Sequence, residues 1–420
     1  MKNKFKLAII SLIIFRVVLA FVVWHPDVNN HIDWGIRFFD YGPQEFYSPD
    51  ANVWSYTWPN QPPGTTLMFA GIYQIYLFVF SILTWINQNI PLFPSDVMFF
   101  LEDRLYPAML QLPAIIADLG IALLIYRIVK KHSSEKIAKA GALLFLINPA
   151  VWFNSSVWGQ YDAVINFFGL LSFYSLYRKK YLITFLALAL SIYIKISLAI
   201  FIPILLVLIL QQKIKLKILV KPIIITVIVF SLVTFLFSYP NNPITWLYDV
   251  YTKKVLYQQL HVITANAFNV WAALTGIHEQ PDSLVWGPFS YQFWGYILYT
   301  PIYLFSLWKI WKSKNEIKAY TWIAVIAFAT FVLMTNMHER YIYPLFPYFT
   351  VVVVLNPRII WLYVSVSIIS LLNLYNFWFT PRIEPVVKIM EYGDRLAPRI
   401  LGAVNTGLFV LFLKKINKNA

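Results

Sequence analysis

Long apolar runs of about 20 residues alternate with short polar stretches along the chain, the length a helix needs to cross a hydrocarbon layer roughly 30 Å thick. The runs fall at residues 5–24, 65–85, 105–129, 137–152, 162–177, 181–211, 221–238, 291–311, 318–335, 341–356, 359–378 and 399–414. This pattern predicts an all-α, polytopic integral membrane protein. No internal repeat, low-complexity linker or soluble segment interrupts it, so residues 1–420 are expected as one transmembrane domain.

The basic residues set the direction of each crossing. They cluster beside the apolar runs, at Lys2, Lys4 and Lys6, at Lys130 and Lys131, at Arg178 to Lys180, at Lys213 to Lys221, at Lys309 to Lys318 and at Lys414 to Lys418. Such clusters mark cytoplasmic returns. Residues 5–24 then leave the cytoplasm and 105–129 come back ahead of Lys130. The run 65–85 is one crossing too many, and is expected as an embedded, re-entrant or outer-leaflet helix. Residues 181–211 are too short for two full spans and are expected as two short helices meeting near Lys195 at an outer apex. The total is about 12–13 transmembrane helices. A large first external loop lies at 25–64 and a long external segment at 239–290, with both termini cytoplasmic in a plasma membrane.

Composition narrows the function. Hydrophobic residues make up 59% of the 420 positions and charged residues 13%. The net charge of +15 would suit nucleic acid, but Lys and Arg lie beside apolar runs and form no continuous basic groove, so membrane lipids are the expected partner. The absence of cysteine rules out disulfides and thiolate metal sites. The basic, then apolar amino terminus has no small-residue cleavage site after it and is read as a retained span. The six histidines form no metal-binding pair, and neither a glycine-rich phosphate loop nor a nucleophile elbow occurs.

Four tracts can carry chemistry. His25-Pro26-Asp27 to Asp33-Trp34 opens the first loop, which continues through Gly42-Pro43 and Phe46-Tyr47 to Gln61-Pro62-Pro63-Gly64. Just beyond a span, a carboxylate can act as a base on a polar acceptor while a lipid reactant stays in the bilayer. It can equally be an ordinary solvated loop residue. Asn148-Pro149 leads to Trp158-Gly159-Gln160-Tyr161-Asp162, where an interfacial aromatic belt explains the rings but not Gln160 and Asp162. Lys195 lies between two isoleucines, either snorkelling to an interface or facing a phosphate; Arg16 in the first span raises the same question. Finally, His338-Glu339-Arg340-Tyr341 offers the planar donors of Arg and a His for phosphate oxygens, with Glu339 able to hold Arg340; a surface ion pair is the plainer alternative.

Taken in order with Asn266-Ala267-Phe268-Asn269-Val270-Trp271, these tracts resemble those of the GT-C superfamily of membrane glycosyltransferases. Within it the chain is most similar to the prokaryotic mannosyltransferases related to the second mannosyltransferase of GPI-anchor assembly. The resemblance implies a GT-C-like fold and inverting transfer of a hexose, mannose in particular. The sugar would move from a polyprenyl- or dolichyl-phosphate carrier to a lipid, glycan or protein hydroxyl on the external face. It makes Asp27 the catalytic base, with Asp33 a substitute. Asp162 takes the place of the second external carboxylate, and His338 and Arg340 that of the phosphate-binding pair. The Tyr that usually precedes Pro-Pro is Gln61 here. Asp33, Gln61, Trp158, Gln160, Asp162, Lys195, Asn266, His338, Glu339 and Arg340 are the expected substrate-binding set, with Lys195 assigned to the carrier phosphate from its place at the apex. Asp27, Asp162, Lys195 and residues 338–340 are expected to converge on one external cavity. No cofactor is expected beyond the lipid-linked donor, and a divalent ion stays open. A transporter or flippase of lipid-linked sugars, or a non-catalytic subunit of a glycan assembly complex, are the other classes the same features allow.

Overall fold

The structure, a computed structural model, describes residues 2–48, 59–257 and 259–418. Residues 49–58 of the expected first loop and Gln258 of the expected long external segment lie outside the described residues. The described chain is mostly helical; non-helical stretches such as 259–269 and 276–290 hold isolated bridges, among them Val262 to Pro281, and one two-residue antiparallel ladder, Val285–Trp286 with Phe289–Ser290, where Val285 faces Ser290.

The first helices are α1 (Lys2–Val22), α2 (Asp27–Glu45), α3 (Pro63–Asn89) and α4 (Ser95–His132). Then come α5 (Glu135–Ile147), α6 (Pro149–Phe153), a π turn at Asn154–Trp158, α7 (Asp162–Tyr177) and α8 (Tyr181–Ile194). A 3-10 turn at Ile196–Phe201 leads to α9 (Ile202–Gln211), α10 (Leu216–Ser238), α11 (Pro243–Asp249), a π segment at Val250–Leu256, and α12 (Val270–Thr275). The last are α13 (Tyr291–Lys312), α14 (Glu316–Leu333), α15 (Leu345–Leu355), α16 (Ile360–Phe377) and α17 (Glu384–Lys418).

Among the described residues seven helices are long and apolar enough to cross a membrane: α1, α3, α4, α10, α14, Pro357–Phe377 and α17. An eighth is added if α5 and Pro149–Trp158, bent by 47°, make one span. The chain is thus a multi-pass membrane protein, but with fewer full-length crossings than the 12–13 expected. The shortfall has a local cause. Part of it lies at 341–356, realised as the 11-residue Leu345–Leu355, whereas 181–211, expected as two short helices, is found as Tyr181–Ile194 and Ile196–Gln211. The run 65–85, expected as embedded or re-entrant, is part of the unbroken 27-residue α3. Much of the expected first loop is itself helical, since Asp27–Glu45 forms α2, with a kink at Gly42 where φ is +73°. The break expected near Lys195 is present, with Lys195 extended between α8 and the 3-10 turn.

The described residues group into two compact units. The first holds residues 1–119, 155–200 and 215–259; the second holds 120–154, 201–214 and 260–420. In the first, only 11% of the α1 window and 17% of the α10 window are covered by protein, leaving Ile14, Val18 and Leu232 more than half exposed. Faces that apolar would be unstable in water and are those that lipid covers. In the second, α14 is apolar all round and 78% covered, so it is the core helix against which α13 and α15 pack.

Candidate active site

Asp27 is the first residue of α2, where its negative charge meets the positive end of the helix dipole. Its position is fixed from a distant part of the chain. Gln160 Nε2 donates to Asp27 Oδ2 at 2.6 Å, and Trp158 Nε1 donates to the same oxygen at 3.1 Å. The Trp158 indole stacks on His25, ring centroids 4.2 Å apart, and the His25 N–H donates to the Trp158 carbonyl. His25 Nδ1 accepts the Asp27 backbone N–H at 3.1 Å. The same ring nitrogen lies 3.3 Å from Asp27 Oδ1. The Asp27 side chain keeps 29% of its surface accessible.

Gly159 makes this arrangement possible. Its φ is +80°, and a Cβ there would lie 2.5 Å from Val28 Cγ2 and 3.1 Å from Gln111 Cγ. Only a residue without a side chain lets the Trp158–Gln160 segment press onto the start of α2.

A second polar centre in the same unit joins Asp162, the first residue of α7, to Lys195. Lys195 Nζ donates to Asp162 Oδ1 at 2.7 Å and lies 5.4 Å from the centre of the Tyr161 ring. Both side chains are 6% exposed, so Lys195 does not snorkel. Its backbone N–H still closes the end of α8 on the Ser191 carbonyl. The Pro62-Pro63-Gly64 turn packs on this break: the Thr65 hydroxyl donates to the Ile194 carbonyl, and a Cβ on Gly64 would lie 2.6 Å from the Tyr193 carbonyl oxygen. His31 of α2, stacked on Phe69 at 4.3 Å and edge-on to Tyr161 at 5.4 Å, links the two centres through packed rings.

The other expected residues of this unit are placed differently. Asp33 accepts from Arg37 Nε at 2.9 Å, one turn further along α2. Gln61 gives its amide to Asn60 and its carbonyl to the Tyr47 hydroxyl at 2.8 Å. The Tyr47 carbonyl in turn accepts from Lys254, whose ammonium burial holds below the ordinary lysine range.

The set expected to share one cavity is divided between the units: Asp27, Asp162 and Lys195 belong to the first and residues 338–340 to the second. In the second unit Asn266, in the left-handed region at φ +63°, pairs through its backbone with His338. Its carbonyl accepts from Asn373 and its Oδ1 from Asn376 at 2.8 Å. Arg340 Nη1 donates to Glu339 Oε1 at 2.6 Å with Glu339 fully buried, so this is not a surface ion pair. A small cavity is lined by Asn154, Glu339, Arg340 and Tyr343.

The chain matches no protein-family model and none of the curated proteins compared with it. Among the described residues no three His, Cys, Asp or Glu side chains gather as a metal site. Sequence reasoning singled out Arg16 but not its buried partner. Arg16 of α1 binds Asp118 of α4, both fully buried, with Ser155 Oγ 3.5 Å from the same guanidinium nitrogen. The signal was present, since Asp118 is the one carboxylate in the apolar run 105–129.

Proposed function

We propose that the chain is an inverting membrane glycosyltransferase, moving a hexose, mannose by resemblance, from a polyprenyl-phosphate carrier to an acceptor hydroxyl on the external face of a plasma membrane. The observation that carries the reading is the Asp27 carboxylate, oriented through Oδ2 by Trp158 and Gln160 while part of its surface stays accessible. Asp27 takes the proton of the acceptor hydroxyl as that oxygen bonds to the anomeric carbon. The bond from that carbon to the carrier phosphate breaks on the opposite face, its electron pair leaving with the phosphate. A phosphate leaves readily when fixed cations meet its charge. The resemblance gives that role to His338 and Arg340, with Glu339 holding the guanidinium.

The deciding experiment is transfer from radiolabelled polyprenyl-phosphate mannose in membranes carrying wild type or Asp27→Asn. Loss of the base should slow transfer by about 10²–10⁴-fold. An Asn variant as fast as wild type removes Asp27 from catalysis. The external placement rests on the distribution of basic residues, and the lack of native cysteine makes it easy to probe. Tyr257→Cys, at a residue 77% exposed, should react with an impermeant thiol reagent on intact cells, and Lys130→Cys only after lysis.

The buried Arg16–Asp118 pair favours a second reading, movement of a lipid-linked sugar across the bilayer, because ionisable residues inside spans often mark polar pathways. Translocation in sealed vesicles without a new glycosidic bond would support it over transfer.

A further inference from the structure

The turn from α13 into α14 forms an open cleft of about 660 Å³ lined by Trp308, Lys309, Lys312, Lys314, Lys318 and Trp322, and no carboxylate lines it. The nearest acid in sequence, Glu316, is 4% exposed and already holds Lys131 at 2.9 Å, His132 at 3.1 Å and the Tyr320 hydroxyl. The ammonium groups of Lys309, Lys312 and Lys314 therefore share one concavity whose lining, among the described residues, holds no acid side chain. Like charges gathered over low-dielectric walls repel one another and attract an anion. Lys309 is held at the aromatic wall, 5.3–5.7 Å from the ring centres of Phe305, Trp308 and Trp322. Orientation of a span needs basic residues near its end, but not their enclosure between two indoles.

The location says which anion fits. The cleft lies at the first turn of α14, a candidate span, hence at the edge of the apolar layer. The adjoining surface of α13 is apolar and open, with Leu304 at 57% and Trp308 at 50% exposure. We propose that this cleft binds the headgroup phosphate of an anionic phospholipid, its acyl chains lying along the outward face of α13. A soluble phosphate shares the headgroup chemistry but would leave that apolar face unused.

Native mass spectrometry of the full chain in detergent tests this with three probes: phosphatidylglycerol, phosphatidylcholine and inorganic phosphate. Phosphatidylglycerol should be retained about tenfold more strongly than phosphatidylcholine, and Lys312→Gln/Lys314→Gln/Lys318→Gln should lose about tenfold or more of that preference. A charge-matched control, Lys213→Gln/Lys215→Gln/Lys217→Gln, should keep it. Equal retention of the two lipids, or equal loss in both triple variants, overturns the site. Displacement of phosphatidylglycerol by inorganic phosphate at the same concentration overturns the lipid assignment. Wild type alone gives a further check, since its phosphatidylglycerol adduct should weaken as salt rises while any phosphatidylcholine adduct does not; a salt-independent phosphatidylglycerol adduct counts against the site.

Discussion

Gln160 Nε2 and Asp27 Oδ2 meet at 2.6 Å across 133 residues of chain. A neutral amide that donates to a carboxylate contributes about 1.5–3 kcal/mol, and here it also fixes which way the carboxylate turns. On the transferase reading, Gln160→Ala should lower kcat by about ten- to a hundredfold while leaving donor KM and thermal stability near wild type. Trp158→Phe keeps a ring against His25 but removes the N–H, and should act in the same direction. Transfer at full rate in both variants would show that neither residue positions Asp27.

Gly159 should tolerate no side chain. Gly159→Ala places a Cβ 2.5 Å from Val28 Cγ2 and forces an L-residue to φ +80°, so unfolding in detergent should become easier by about 1–3 kcal/mol. Adding Val28→Ala relieves the overlap but not the backbone strain or the approach to Gln111, and should restore only part of the loss. Full restoration would mean the φ at this position carries no cost.

The Asp162–Lys195 pair separates a structural from a ligand-binding role. Lys195→Met takes the ammonium from a buried carboxylate and should cost about 3–5 kcal/mol, whereas Lys195→Met/Asp162→Leu should recover most of that loss. A double variant that is stable yet raises donor KM would give Lys195 to the carrier phosphate. One that is stable with unchanged KM would leave the pair as a fastener between α7 and the break after α8.

The apolar runs were legible because a span declares itself by length and hydropathy alone, and the expected crossings 221–238, 318–335 and 359–378 agree with α10, α14 and α16 to within about five residues at each boundary. Parity was less instructive, because it treats each apolar run as either a full crossing or none, while this chain uses helices of intermediate length such as Leu345–Leu355. Helix α2 was hidden by its Gly42-Pro43 kink and its polar composition. Its buried positions Val28, His31, Trp34 and Gly35 nevertheless recur at helical spacing. Asp27, Trp158, Gln160 and Asp162 stood out as polar groups in an apolar chain. Which of them touch could not be read, because the contact depends on Gly159 letting two distant segments meet.

Lys254 gives a pH signature. Burial lowers its folded pKa below the ordinary lysine value, so just below that value the unfolded chain binds more protons than the folded one. Its contribution to stability is present above the unfolded pKa and lost as pH falls through the folded one. The Tyr47 phenol, raised by burial, acts oppositely and lowers stability as pH climbs past the ordinary tyrosine range. Comparing wild type with Lys254→Met cancels the tyrosine effect. As pH rises towards the ordinary lysine value, the unfolding midpoint of wild type should gain on that of the variant. A constant difference would mean that Lys254 is not desolvated.

Arg16 and Asp118 bear on the choice between transfer and translocation. Both are fully buried, so removing one takes the opposite charge from a buried ion. Asp118→Leu should therefore destabilise by about 3–5 kcal/mol, and Arg16→Leu/Asp118→Leu should unfold close to wild type or above it. If the pair only joins α1 to α4, the stable double variant keeps sugar transfer at the wild-type rate. If it lines a path for a polar headgroup, the same variant keeps its fold but fails to move lipid-linked sugar across sealed vesicles. Loss of transfer in the stable double variant has a third meaning, through Ser155. That residue lies 3.5 Å from the Arg16 guanidinium and opens the segment that carries Trp158 and Gln160 to Asp27. A fall in kcat without a change in donor KM would then make Arg16 a positioning residue for the base.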